Sequence, residues 1–252
     1  DLLEIQKIRE PEIQIVSNLS FLPVNENNLV YKAARLLQEE FALTDGISVK
    51  LTKRIPVAAG MAGGSTDAAA MLYAMNQLYD LGLSRRELMK RGVQIGADVP
   101  YCLMRGTALA EGIGEKLTQL PPMIKCPVLI AKPSISVSTK FVYQNLKLDE
   151  QTNHPDIDAL MKDIREKDFD GVCAHMGNVL ESVTIPNYPV IAEIKQQMMR
   201  SGAKASMMSG SGPTVFGLFE DGETAKRALR EMKRSGLAKQ VYLTTIYNNR
   251  RK

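Results

Sequence analysis

The sequence of 252 residues predicts an α+β protein built in two lobes. Three observations carry that expectation. Alternating apolar stretches at the start of the chain give way to helical stripes. A Pro121-Pro122 pair divides the chain near its middle, into 1–122 and 123–252. The second half then reads as strand, helices, strand, strand, helix, strand, a ferredoxin-like split order with an all-helical insertion.

Taken in order, Leu2 to Ile8 and the Ile13/Ile15 alternation predict opening strands. A polar loop containing Pro23 runs from Ser20 to Asn28, and Asn28 is placed to cap a helix carrying Leu29, Ala33, Leu36, Leu37 and Phe41 on one face. Ile47, Val49 and Leu51 alternate with polar residues and predict a strand, after which comes the glycine-rich stretch 56–70 and a helix of about four turns through Leu72, Met75 and Leu78. Ser84-Arg85-Arg86-Glu87 is a capping box opening a helix that Gly92 is expected to close, and residues 96–100 are expected to form a loop. Beyond the two prolines, Val128–Ala131 predicts a short buried strand and Ser138-Thr139 opens a helix or turn. Residues 156–167 and 169–180 are each expected to be helical, as is 190–200. Strands at 203–208 and 215–219, a helix at 224–235 and a strand at 240–246 complete the chain.

Composition narrows the function classes. The net charge of +4 is dispersed and includes no basic block of the kind that grips nucleic acid; Arg250-Arg251-Lys252 is expected to be a frayed end. Three cysteines without C-x-x-C spacing argue against a disulfide framework or a zinc site and make a reducing cytoplasm the expected compartment. No apolar run reaches the ~18 residues of a membrane helix, and no signal peptide is expected. The opening Asp1-Leu2-Leu3-Glu4-Ile5, without Met, is what a truncated or processed start would give. His154 and His175 are expected to face solvent or to be satisfied locally rather than bind metal, and Met198, Met199, Met207 and Met208 to fill core.

The chemistry is concentrated in two glycine loops. In Pro56-Val57-Ala58-Ala59-Gly60-Met61-Ala62-Gly63-Gly64-Ser65-Thr66-Asp67, three glycines and several small residues join a strand to a helix N-terminus, so bare amides and the helix dipole converge where a phosphate would sit. The loop is neither a Walker A motif, because no lysine follows Gly64, nor the Rossmann G-x-G-x-x-G. The plainer alternative is a glycine-rich turn with Ser65 or Thr66 as N-cap and no ligand. The second loop, Met208-Ser209-Gly210-Ser211-Gly212-Pro213-Thr214, allows close approach to a ligand, or is a tight hairpin connection.

The first loop resembles the second motif of the GHMP kinases, the galactokinase, homoserine, mevalonate and phosphomevalonate kinase superfamily. Its wording is most similar to the branch that acts on a cytidine diphosphate derivative of methylerythritol. The resemblance runs from Asn28 to Phe219 at least. It implies a ribosomal-protein-S5-like α/β lobe followed by a ferredoxin-like lobe, with the active cleft between them. It also implies transfer of the γ-phosphoryl of ATP to the 2-hydroxyl of that small-molecule substrate, with neither nucleic acid nor membrane as partner, in a monomer or weak dimer. Residues 56–66 would hold the ATP phosphates, and Lys53 and Asn28 would lie near the adenine. Mg²⁺ would be bound mainly through phosphates and water, with Ser65 beside it. Ile95-Gly96-Ala97-Asp98-Val99-Pro100 resembles the segment presenting the catalytic aspartate, so Asp98 would accept the substrate's hydroxyl proton. The second loop resembles the third GHMP motif and brings Gly210 and Gly212 to the substrate. Residues 132–143 resemble the stretch at the cytidine end: Thr139 would touch the nucleotide moiety and Tyr143 would stack on cytosine, although Phe141 and Tyr143 read equally well as core on a short helix. Asn178-Val179-Leu180-Glu181 also resembles the family, without an assigned chemistry.

The sequence departs from the family in one respect. The family's N-terminal P-x-K-x-N-L motif, with its lysine, and a Gly-Tyr-His substrate segment do not occur, and Lys7, Lys53 and Lys132 do not stand in that context. The polypeptide as given is therefore expected to be catalytically impaired. Alternatives are another GHMP kinase, such as a homoserine kinase, and a non-catalytic GHMP-like binding module.

Overall fold

A computed structural model describes residues 1–149, 152 and 154–248; the basic residues 250–252 lie outside them. The chain divides into two compact units, residues 1–57 with 62–119, and residues 58–61 with 120–252.

The first unit is built on a three-stranded sheet in the order β1-β3-β2. β1 (Leu2–Ile8) pairs antiparallel with β3 (Gly46–Thr52), and β2 (Ile13–Ser17) pairs parallel with it. The parallel pairing requires a crossover, and α1 (Leu29–Glu40) supplies it. Ile15 sits opposite Val49 and Ile13 opposite Ile47, so the alternating apolar residues face one core. Leu37 of α1 and Met71, Leu72 and Met75 of α2 (Gly63–Leu78) complete that core.

Two expectations for this unit are corrected. Gly92 does not end α3 (Arg85–Ile95). Gly92 does not take the left-handed backbone that closes a helix, and a β-carbon there would lie 2.9 Å from Val99 Cγ1, so the glycine serves close packing rather than termination. Val99 and Pro100 are not loop but the first turn of α4 (Val99–Met104), where proline's missing N–H removes no helical bond. The capping box at Ser84 is present in both directions. β4 (Ala108–Glu111) and β5 (Lys116–Gln119) form a hairpin.

The second unit has a four-stranded antiparallel sheet in the order β7-β8-β6-β9. Its strands are β6 (Pro127–Lys132), β7 (Ala205–Met208), β8 (Val215–Leu218) and β9 (Gln240–Thr245). Between β6 and β7 lie α5 (Thr139–Asn145), α6 (Ile157–Glu166), α7 (Phe169–His175), α8 (Glu181–Asn187) and α9 (Val190–Arg200); α10 (Gly222–Ser235) joins β8 to β9. This is the ferredoxin-like order with a helical insertion.

The single helix expected over 169–180 is shorter, and a turn fills the rest of the span before α8. α7 stops at His175, and Asn178 Oδ1 then accepts the Leu180 N–H (3.0 Å), a local turn that competes with helix continuation and starts α8. Met198 and Met208 are buried as expected, but Met199 is 46 % exposed: it follows Met198 on α9, about 100° further round the helix and off the buried face.

Candidate functional site

The entrance to α2 has the geometry of an anion cradle. Ala62 caps the helix in the left-handed conformation (φ 49°) and offers no side-chain acceptor. Thr66 N–H is the first donor in the helical ladder, bonding Ala62 C=O at 2.8 Å. The N–H groups of Gly63, Gly64 and Ser65 therefore precede the ladder, and they donate to no acceptor among the described residues. Three bare donors at the positive end of a 16-residue helix favour a phosphate. Ser65 and Thr66 are not N-caps: both lie inside the first turn, where Thr66 Oγ1 donates back to Ala62 C=O (3.0 Å). Ala58 as well as Ala62 has positive φ, a strain of order 1–2 kcal/mol per residue that tolerates a tight path.

Behind this turn lies a buried charge cluster. Lys53 Nζ donates to Asp67 Oδ2 (2.7 Å) and to Asp1 Oδ2 (2.5 Å). Asp1 Oδ1 in turn accepts the N–H groups of Arg54 and Ile55, so the chain leaving β3 is tied down before it enters the loop. Burial pushes the Asp67 carboxyl up, with Lys53 opposing. Asn28, also buried, accepts Val30 N–H (2.9 Å) and donates to Pro23 C=O (2.7 Å). The side chains of Lys53 and Asn28 are thus engaged within the unit.

Asp98 stands at the start of α4, exposed and making no capping bond with its carboxylate. One turn on, Cys102 Sγ lies 3.4 Å from Thr66 Oγ1, and a β-carbon at Gly96 would lie 4.0 Å from Ser65 Oγ. The segment carrying Asp98 is therefore packed on the first turn of α2. Burial pushes the Cys102 thiol up, and the nearby Asp98 and Asp67 charges add to the effect.

In the second unit, residues 58–61 meet loop 208–214. Ser209 Oγ donates to Gly60 C=O (2.7 Å). The approach is backbone on backbone: a β-carbon at Gly60, whose φ is +67°, would lie 2.2 Å from Ser209 O. Gly210 and Gly212 also have positive φ, and a β-carbon on Gly212 would meet Met208 Sδ at 2.6 Å.

Residues 28–106 match the GHMP kinases N terminal domain and residues 160–238 the GHMP kinases C terminal domain. The 4-diphosphocytidyl-2-C-methyl-D-erythritol kinase of Lachnospira eligens is 57 % identical over 98 % of this chain and 86 % of its own length. The chain belongs to the GHMP kinases, in the 4-diphosphocytidyl-2-C-methyl-D-erythritol kinase family. The Lachnoclostridium phytofermentans enzyme of the same name is 52 % identical over 99 % of the chain and 86 % of its own. A crystal structure of 4-(cytidine 5'-diphospho)-2C-methyl-D-erythritol kinase superposes with TM-score 0.80 at 28 % identity, over 96 % of this chain and 84 % of that one. Homoserine kinase from Cytophaga hutchinsonii gives TM-score 0.83 at 21 % identity, over 98 % and 85 %, which speaks for the fold alone.

This GHMP kinase carries its other expected site residues on α5. Phe141 (38 % exposed) and Tyr143 (61 %) are not core; the buried residue of that helix is Val142. Thr139 Oγ1 and Ser211 Oγ share a hydrogen bond of 2.9 Å, linking α5 to the glycine loop. Lys132 Nζ donates to the carbonyls of Pro133 and Ile135, and burial lowers its pKa. His175 Nδ1 pairs with Asp163 Oδ2 (2.6 Å), and that contact raises the histidine's pKa. Among the described residues no group of three or more His, Cys, Asp or Glu is placed to hold a metal. No helix among them is long and apolar enough to cross a membrane.

Sequence reasoning passed over Asp67 and gave Asn178 and Glu181 no chemistry. Asp67 was legible only as an aspartate stranded in an alanine run, where a buried partner is required. Nothing in the sequence pairs Asn178 with a loop 30 residues onward.

Proposed function

We propose that this kinase transfers the γ-phosphoryl of ATP to the 2-hydroxyl of 4-diphosphocytidyl-2-C-methyl-D-erythritol. The observation that carries the reading is the identity of 57 % across 98 % of the chain to a kinase of that name. The bare amides of Gly63, Gly64 and Ser65 support it, since a phosphoryl-transfer enzyme must hold a polyphosphate without itself reacting.

In this proposal, residues 56–66 hold the ATP phosphates, with Lys53 and Asn28 fixing the chain beside the adenine. Asp98 takes the proton of the 2-hydroxyl as its oxygen bonds to the γ-phosphorus, and the bond from that phosphorus to the β,γ-bridging oxygen breaks, releasing ADP. The free carboxylate of Asp98 suits that role. Mg²⁺, when bound, would neutralise phosphate charge and would be held mainly by phosphates and water, beside Ser65. Thr139, Tyr143, Gly210 and Gly212 receive the cytidyl substrate, whose flat base suits the exposed Tyr143 ring.

The other reading the sequence leaves open, a homoserine kinase, shares the fold with this chain and has no relative of that name at comparable identity behind it. An assay of ATP consumption with each acceptor separates the two. Phosphorylation of the cytidyl compound and not of homoserine is expected; the reverse result would remove the proposal.

A further inference from the structure

The side chains of Asn178 and Glu181 make five hydrogen bonds, and three of them reach β7 and the loop beyond it. Asn178 Nδ2 donates to Met208 C=O (2.9 Å) and to Gly210 C=O (2.8 Å), using both its protons. Its Oδ1 accepts Leu180 N–H, which fixes the rotamer. Glu181 Oε1 accepts Met208 N–H (2.8 Å), and its other oxygen is held by Lys195. Both polar groups of Met208 and the carbonyl of Gly210 are thus set by one short segment, 27 to 32 residues away in sequence. At Gly210 and Gly212 the backbone has positive φ and no side chain of its own to steady it.

What that loop touches gives the arrangement its consequence. Ser209, between the two carbonyls that Asn178 grips, donates to Gly60 C=O. The backbones of Ser209 and Gly212 crowd Gly60 so closely that any shift of loop 209–212 must move it. Gly60 lies three residues before Gly63, the first of the bare amides on α2.

We infer that Asn178 is a positioning residue for phosphate binding: it sets loop 208–212, and through the Ser209–Gly60 hydrogen bond it sets the backbone at Gly60, within the stretch 56–66 proposed to hold the phosphates. The inference rests on the kinase reading of that stretch but is tested apart from it. Asn178 touches no reacting atom in this scheme, and Glu181 shares the load only at Met208.

The test is a double-mutant cycle read in two ways. The first is the backbone amide resonance of Gly60, followed by NMR without nucleotide, in the unaltered chain, Asn178→Ala, Ser209→Ala and the double variant. Asn178→Ala is expected to shift the Gly60 resonance, and to shift it no further once Ser209→Ala is in place. The second is steady-state kinetics: loss of the two hydrogen bonds from Asn178 to the loop should raise the KM for ATP about tenfold while kcat falls far less. Asn178→Asp, which turns the donor toward two carbonyls into an acceptor, should be worse than alanine, and a purely space-filling role would not give that order. If Asn178→Ala does not fold, Asn178→Gln, which keeps the amide on a longer stem, supplies the same cycle. A Gly60 resonance indifferent to Asn178 in a folded variant, or additive effects of the two substitutions on KM, would overturn the inference. A chain whose Gly60 responds as expected but that neither binds nor consumes ATP would instead overturn the kinase reading.

Discussion

Lys53 and Asp67 meet at 2.7 Å with their side chains 4 % and 3 % exposed, and the lysine is shared with Asp1, whose side chain is as deeply buried. One cation thus answers two carboxylates where water cannot screen them. Burial raises the Asp67 pKa from its ordinary value of 3.8, so desolvation outweighs the attraction of Lys53. The folded chain therefore holds an Asp67 proton more tightly than the unfolded chain does. That contribution to stability is fully present below 3.8 and is lost as pH rises through the folded value. The stability of the unaltered chain minus that of Asp67→Asn should accordingly fall as pH rises from 3.8, as measured by denaturant unfolding across the acid range. A difference that grows instead would mean that the Lys53 pairing dominates. Lys53→Met should cost about 3–5 kcal/mol near neutral pH, because it leaves two buried carboxylates without their cation.

Asp98 presents the opposite case, an exposed carboxylate that no capping bond employs. Its replacement should hardly touch the fold, so Asp98→Asn is expected to unfold within about 0.5 kcal/mol of the unaltered chain. Turnover should drop by roughly 10²–10⁴, the usual worth of a positioned base, with ATP affinity largely kept. Single-turnover kinetics together with nucleotide titration measure both; turnover left intact would take Asp98 out of the mechanism.

The difference between these two aspartates explains how much could be read beforehand. Strand alternation at Ile47, Val49 and Leu51, the Asn28 cap and the capping box at Ser84 are local signals, and the structure contains each of them. Local signals failed where a distant partner decides. Gly92 looked like a helix stop because its partner, Val99, is reached only after the chain turns back. Residues 169–180 looked like one helix because the periodicity does not register that Asn178 spends its side chain on Leu180 and on loop 208–210. The site divides in the same way: the bare amides follow from glycines in sequence, whereas the Lys53–Asp67 contact spans 14 residues and the Ser209–Gly60 contact 149.

Tyr143 tests the cytidyl end. At 61 % exposure the ring is not needed for the core, so Tyr143→Ala should leave the melting temperature nearly unchanged. Binding of the cytidyl substrate should weaken by ~1–3 kcal/mol, the size of one base–aromatic stack. Tyr143→Phe, which keeps the face and loses only the hydroxyl, should bind almost as well as the unaltered chain. Isothermal titration of all three proteins decides the matter, and equal affinities would remove the stacking role.

Gly60 and Gly64 share a motif but not a reason for being glycine. A β-carbon at Gly60 would be driven to 2.2 Å from Ser209 O and 3.0 Å from Gly212 O, both backbone atoms that cannot rotate aside, and φ at +67° is itself unfavourable to alanine. At Gly64 the nearest atom to a β-carbon would be Leu29 Cδ1 at an ordinary 3.5 Å, and the residue lies in the first turn of α2. Gly60→Ala should therefore destabilise the second unit by at least ~1–3 kcal/mol and raise the KM for ATP, because loop 58–61 must move away from loop 209–212. Gly64→Ala should be neutral or stabilising by up to ~1 kcal/mol, the helix preference of alanine over glycine. Its amide remains a donor, so any loss of ATP affinity in Gly64→Ala would come from the methyl group meeting the phosphates themselves. Thermal unfolding and ATP titration of the two variants side by side separate a glycine kept for the fold from one kept for the ligand.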